Sequence, residues 1–328
     1  MTESPPFPFD GLSLLMVWTA IGVYSLAFVA YAIDLAVRVS RVETPAAKLV
    51  AAGAAEPLLA EPAAEPVQLR IPPSQRERLV WSRIGTTLTV VGFGLHMGGD
   101  IFRGVAANRV PWANMYEFAL TGTLLIVAVF LAALRRYDLR FLGSFLLGMV
   151  VLLLGGATLA FYVEVTPLMD PLRSVWLVIH VFVASLATAL FALACGLSVT
   201  QLLQSRRERR STINVRRGLL RTLPTAENLE ALAYRFAIIG FIFWTFTLIA
   251  GAIWANDSWG RFWGFDTKEV WTFIIWVLYA GYIHARATRG WRGNRSAWLS
   301  IIGFAAVLFN FTAVNMFFKG LHAYSGLS

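Results

Sequence analysis

The chain is predicted to be an all-α polytopic membrane protein of about eight transmembrane helices, with both termini outside. Three observations point there. Apolar residues make up 57% of the 328 and charged residues only 14%, with a mean hydropathy of +0.63, which is not the balance of a water-soluble domain. The apolar residues come in runs of about 20, the length a helix needs to cross a bilayer. The basic residues collect in loops between alternate runs, and such loops stay on the cytoplasmic side. The formal charge of +9 therefore reflects topology, and no nucleic-acid partner is expected.

The first span covers residues 12–37. Asp10 precedes it and Arg38 and Arg41 follow, so the N-terminus faces outward. Asp34, near the inner end, reads as a carboxylate at the interface. The opening MTESPPFPFDG lacks the basic region of a cleavable signal peptide. Residues 1–42 thus form one membrane unit. Residues 43–77 are rich in Ala, Pro and Glu, show no apolar period, and read as a disordered cytoplasmic insert.

The remainder, 78–328, reads as one membrane domain. Its first span, 79–102, runs outward and carries His96 in its outer third. An external loop from Arg103 follows, ending in PWANMYE. The span 115–134 has Glu117 in its first turn, where an acid is ordinary helix-dipole chemistry. RRYDLR returns inside, and 141–162 leads out to EVTPLMDPLR. The fifth span starts near 174, with His180 about two turns inside it. It runs to about 203 and ends in QSRRERRSTINVRR, the strongest inside marker in the chain, with anionic membrane lipid as a secondary contact. The sixth, 233–253, runs outward. The seventh, 270–285, brings His284 to the inner end beside Arg286 and Arg289. The eighth, 297–318, runs out to KGLHAYSG with His322. Arg103, Arg109 and Arg173 are left outside against the trend.

Between the sixth and seventh spans lies 254–271, WANDSWGRFWGFDTKEVW, expected to form an external loop. Trp254, Trp259, Trp263 and Trp271 alternate there with glycines and charges. An interfacial aromatic belt places rings at the two membrane edges and does not need this alternation in one tight loop. The run WGRFWGFDTKEVW resembles the tryptophan-rich "WWD" motif of the haem-handling proteins of cytochrome c biogenesis. His284 after the next helix and GLHAYSG near the end resemble the CcsA (ResC) type of the System II pathway, which some actinobacteria name CcsB. The likeness extends over most of the chain from about residue 79. PWANMYE is similar to the family's Pro-x-Ser-Asn-x-Tyr-Glu stretch, with Ala113 in place of Ser. Phe265 stands where the family usually has Trp, and Thr267 where it usually has Pro. Phe keeps a flat apolar face but lacks the indole N–H.

The resemblance implies that the chain binds haem b at the outer face of the cytoplasmic membrane and presents it for covalent attachment to apocytochrome c. A haem needs aromatic faces, a cation for its propionates and axial imidazoles. Trp254, Trp259, Trp263 and Phe265 would supply faces; Arg261 and Lys268 could meet propionates. By the family pattern His180 and His322 match the external ligand pair, and His284 an inner haem site. His96 is a further candidate. Asp266, Lys268 and Glu269 either touch the ligand or pair with one another to shape the loop.

The single cysteine, Cys195, excludes an internal disulfide, a Cys-x-x-Cys redox pair and a C-x-x-C-H attachment site. The chain would then orient haem while the C-x-x-C-H segment of the apocytochrome supplies the thiols, as a subunit of a holocytochrome c synthase with a CcsB/ResB-type membrane partner. Two rivals remain: a haem transporter with no part in attachment, and a System I-type haem-handling protein. A quinone or ion-translocating subunit would want several buried carboxylates on its spans, and few are visible.

Overall fold

The computed structural model describes residues 9–40, 73–165, 173–210, 223–288, 290–318 and 320–321. His322, most of the insert at 43–77, and residues 211–217 of the Arg-rich run lie outside the described residues. Within them the chain is helical and has no strand: α1 Phe9–Ser40, α2 Pro73–Ala107, α3 Met115–Leu134, α4 Gly143–Ala160 with a 3-10 turn Arg140–Leu142 before it, α5 Val175–Arg210, α6 Ala226–Trp259, α7 Thr267–Ala287, α8 Asn294–Phe311 and the short α9 Ala313–Phe317. Six of these, α1, α3, α4 with its lead-in turn, α5, α6 and α8 continued by α9, are long and apolar enough to cross a membrane. The chain is a multi-pass membrane protein.

α2 and α7 fall short of that mark for reasons their packing explains. α1 and α2 lie along one another. Gly85, Gly92 and Gly99 recur every seven residues on α2; Tyr31, Tyr24 and Val17 recur every seven on α1 in the reverse direction. A Cβ on Gly85 would meet the Tyr31 ring at 3.0 Å, on Gly92 the Tyr24 ring at 2.7 Å, and on Gly99 Val17 Cγ2 at 2.8 Å. Each large side chain thus fills the slot left by a glycine, the small-residue packing by which membrane helices approach closely. α2 spends its hydropathy on those glycines. α7 spends it on Trp271, Trp276, Tyr279 and Tyr282, of which Tyr279 stacks on Phe191 of α5 with ring centroids 3.6 Å apart.

α5 and α6 form the second long pair, and α8 packs across α5 and α7. One buried cluster, including Tyr24, Phe130, Leu147, Phe191 and Tyr279, runs through both halves.

Two sequence expectations need correction. Asp34 is buried, only 1% exposed, and is not an interfacial carboxylate. Arg103 does not open a loop. α2 continues to Ala107, and Arg103 is fully buried on it, ion-paired to Asp10 at 2.6 Å and Glu117 at 3.0 Å and donating to the Val163 carbonyl at 2.8 Å. Arg109 reaches Glu117 from the other side at 2.7 Å. Glu117 also accepts the Ala113 N–H at 2.8 Å, so it anchors two guanidinia rather than only facing a helix dipole.

Candidate functional site

α6 ends at Gly260, whose φ of 68° suits a residue without a Cβ. α7 starts at a capping box: the Asp266 carboxylate accepts the Lys268 N–H at 3.2 Å, and Glu269 reaches back to the Asp266 N–H at 3.1 Å. These two stops shorten the loop expected over 254–271 to residues 260–266. Trp254 and Trp259 belong to α6 and Trp271 to α7. The Glu269 oxygen also accepts the Gly264 N–H at 2.8 Å. Two N–H groups thus converge on one carboxylate oxygen, and Phe265 between them takes the left-handed region at φ 56°. That is a strained conformation for a bulky residue.

Behind this loop lies a cavity of about 220 Å³, walled by α3, α5, α6, α7 and α8. His180, Trp254, Trp263 and Lys268 line it. Its other walls are mostly apolar, among them Phe118, Ile126, Leu177, Phe304 and Val307, with Thr247, Glu269, Thr272, Asn310 and Asn315 as polar points.

One face of α6 holds the His180 ring. Nδ1 of His180 lies 2.9 Å from the Thr247 carbonyl, which can only accept, so Nδ1 carries the proton. Trp254 stacks on the ring at 6.0 Å and 17°. Gly251 makes the approach possible, because a Cβ there would stand 2.7 Å from His180 Cε1. Residues 247, 251 and 254 are spaced i, i+4, i+7, one stripe of a helix. With Nδ1 committed to a carbonyl, Nε2 is the nitrogen that keeps its lone pair, the arrangement that orients a metal-binding histidine. Trp259 extends the stack edge-on to Trp254, with centroids 4.8 Å apart.

At the mouth the rings are bare: Phe262, Trp263 and Phe265 are 59%, 39% and 80% exposed. Trp263 meets Phe265 edge-on. Arg261 is exposed, and its guanidinium folds over Gly264. Lys268 lines the cavity, but its Nζ donates to Asn315 Oδ1 at 2.5 Å. Asp266 Oδ1 accepts the Leu321 N–H at 3.0 Å. The polar residues of the segment therefore frame the loop and bind the chain that follows α8.

Two predicted candidates lie elsewhere. His96 is fully buried between α1 and α3: Nε2 is 3.0 Å from the Leu120 carbonyl and Nδ1 3.4 Å from the Tyr24 hydroxyl. It does not line the cavity. His284 is exposed in the last turn of α7, 16 positions from Lys268 (284 − 268) and so about 24 Å along the helix. Sequence reasoning missed Thr247, Gly251, Asn310 and Asn315. The TxxxGxxW spacing on α6 is the one signal that could have found the first two.

Residues 112–322 match the sequence model of the Cytochrome C assembly protein family. The chain is also similar to the cytochrome c biogenesis protein CcsA of a strain of Prochlorococcus marinus, 32% identical over 247 residues, covering 68% of this chain and 78% of the relative. The chain belongs to this family and is of the CcsA type. CcsA of Guillardia theta is likewise 32% identical over 243 residues, covering 69% of this chain and 80% of that relative. Among solved structures, Cytochrome c Heme Lyase CcmF shares the fold, with a TM-score of 0.59 at 16% identity. The alignment covers 91% of this chain, which spans 46% of that structure. Membership carries a role in cytochrome c maturation.

Proposed function

We propose that this chain binds haem b in the cavity beneath the tryptophan-rich loop and presents it for covalent attachment to apocytochrome c. The observation that carries the reading is His180: a single imidazole at an apolar wall, its Nδ1 proton held by the Thr247 carbonyl and its ring stacked on Trp254. Such a nitrogen suits haem iron, and the apolar walls suit the ring. His180 and His322 are the proposed axial pair, with the rings of Trp254, Trp263 and Phe265 as faces and Arg261, exposed at the mouth, as the cation for a propionate. Lys268 is committed to Asn315, which favours a framing role. We do not carry His96 forward, because both its nitrogens face packing partners. His284 is assigned to a separate inner haem site.

The same reading takes the chain to have eight spans, with α2 and α7 crossing as packed partners of α1 and α8. Both termini and the loop 260–266 face outward from the cytoplasmic membrane. Residues 43–77 form a cytoplasmic insert.

In attachment each substrate thiol adds its sulfur and its hydrogen across one haem vinyl bond. Among the described residues no thiol lines the cavity; Cys195 is buried in α5 away from it. The contribution of this chain is orientation, worth the proximity term of catalysis. The proposed assembly is a holocytochrome c synthase with a CcsB/ResB-type membrane partner and the C-x-x-C-H segment of the apocytochrome.

The test is the absorption spectrum of the purified protein, alone and with its partner. A bis-imidazole haem spectrum is expected, lost in His180→Gly and in His322→Gly and partly regained with added imidazole. A chain that purifies with a five-coordinate haem unaffected by either substitution would overturn the ligand pair. Haem bound normally with no attachment by the complete complex would favour the carrier reading.

A further inference from the structure

The two oxygens of the Asp266 carboxylate serve two different segments. Oδ2 caps α7 by accepting the Lys268 N–H. Oδ1 accepts the backbone N–H of Leu321, 55 residues further along. Gly320 lies flush against that oxygen, and a Cβ there would run into it. A second tie joins the same two segments, Lys268 Nζ to Asn315 Oδ1. Asn315 is oriented in turn by donating from Nδ2 to the Phe311 carbonyl at 2.7 Å. Val314, Phe318 and Gly320 close against Asp266, Thr267 and Lys268 around a small crevice. The chain after α8 is thus moored to the first turn of α7, at the rim of the cavity. The mooring groups are themselves set by the Glu269 capping box.

His322 is the next residue, its Cα about 3.8 Å from that of Leu321 across one trans peptide. We infer that Asp266 is a positioning residue for His322: by holding the Leu321 N–H it fixes where the chain delivers the second imidazole to the cavity mouth. The inference rests on the reading of His322 as a haem ligand. It assigns the aspartate of the tryptophan-rich motif to ligand geometry rather than to contact with haem. A carboxylate is needed because the position must accept twice. Ser or Asn offers one acceptor oxygen, enough for the helix cap but not for both partners.

Two substitutions break the contact from opposite sides, Asp266→Ser with the cap retained and Gly320→Ala with Asp266 intact. The first measurement uses no haem. A nitroxide is placed at Leu321→Cys in a Cys195→Ala background, which removes the chain's one native thiol. The label should be immobilised in the parent and in the Asp266-independent control Asp257→Asn, and mobile in both Asp266→Ser and Gly320→Ala. The second measurement uses unlabelled protein with haem. Bis-imidazole absorption should fall several-fold in both variants and recover to at least half the parent value with added imidazole, as a folding defect would not.

A label equally immobile in Asp266→Ser and in the parent overturns the inference. So does a released label with unchanged bis-imidazole absorption, which would detach Asp266 from haem ligation while leaving His180 untouched. A bis-imidazole spectrum that survives His322→Gly would overturn the parent reading instead, and the label result, being haem-free, separates that failure from this one.

Discussion

His180 owes its ligand-ready tautomer to a backbone atom, and its place to a missing side chain. The carbonyl of Thr247 cannot be altered by substitution at 247, but Gly251 can. In Gly251→Ala the new Cβ would press on Cε1 of the imidazole at 2.7 Å, and overpacking of this kind costs about 1–3 kcal/mol. The ring must tilt away from the carbonyl, so bound haem should fall by about tenfold. Gly281→Ala is the matched control, because nothing lies within 4 Å of its Cβ. Haem per polypeptide after purification measures both, and equal values in the two variants would sever Gly251 from the site. The rings at the mouth admit a gentler contrast. Trp263→Ala removes a face that lines the cavity and should lower haem content several-fold, an aromatic contact being worth about 0.5–1.5 kcal/mol beyond its buried area. Phe265→Trp restores the commoner residue at a position 80% exposed, and should leave haem content within about threefold on the same scale. The aromatic residues were legible in the sequence because ring type and spacing alone announce a flat ligand. Gly251 was not, since a glycine inside an apolar run looks like any other until its neighbour across the helix pair is known.

At the scale of elements, the ends of the helices carry the polar chemistry and their seams carry the packing. Glu117 shows the first. Its carboxylate is fully buried between two guanidinia, so Glu117→Ala would strand Arg103 and Arg109 without their shared partner. Breaking one member of a buried ion pair costs about 3–5 kcal/mol. The melting temperature in detergent should drop by about 5–15 °C. Asp10→Asn should cost less, because that side chain is 29% exposed and water can replace the lost charge. A melt unchanged in Glu117→Ala would mean that the network contributes nothing to the outer ends of α1, α2 and α3. Local signals placed α3 accurately: the sequence reading of 115–134 coincides with the helix, since Asn114 is a strong N-cap and RRYD a strong stop. Local signals failed for α2. Glycines and Arg103 read as a span end followed by a loop, whereas α1 supplies the matching tyrosines from about 60 residues earlier and Asp10 supplies the counter-charge. Both partners are invisible to a window that slides along one segment.

For the whole molecule, helix length bears on how it sits in a membrane. α5 has 36 residues and α6 has 34, so they are about 54 Å and 51 Å long, while the hydrocarbon core of a bilayer is about 30 Å thick. A tilt of about 20° shortens the projection by only a few ångströms, so each helix must extend about 20 Å into the headgroups and water. The sequences of the two ends decide which way. α5 closes with Arg206, Arg207 and Arg209, where phosphate headgroups and the positive-inside rule favour cationic side chains. α6 closes at the other end with Trp254 and Trp259, beside the loop that frames the cavity. The expected outcome is that a cysteine at Arg209→Cys, in a Cys195→Ala background, reacts with a membrane-impermeant maleimide only after the cells are opened. A cysteine at Ser258→Cys should react from outside in intact cells. Labelling of position 209 from outside would invert the molecule, and the haem cavity would then open toward the cytoplasm, on the wrong side for an exported apocytochrome. Labelling of both positions from one side would instead mean that α6, the one long helix between them, does not cross the membrane, and the eight-span count would fall with it.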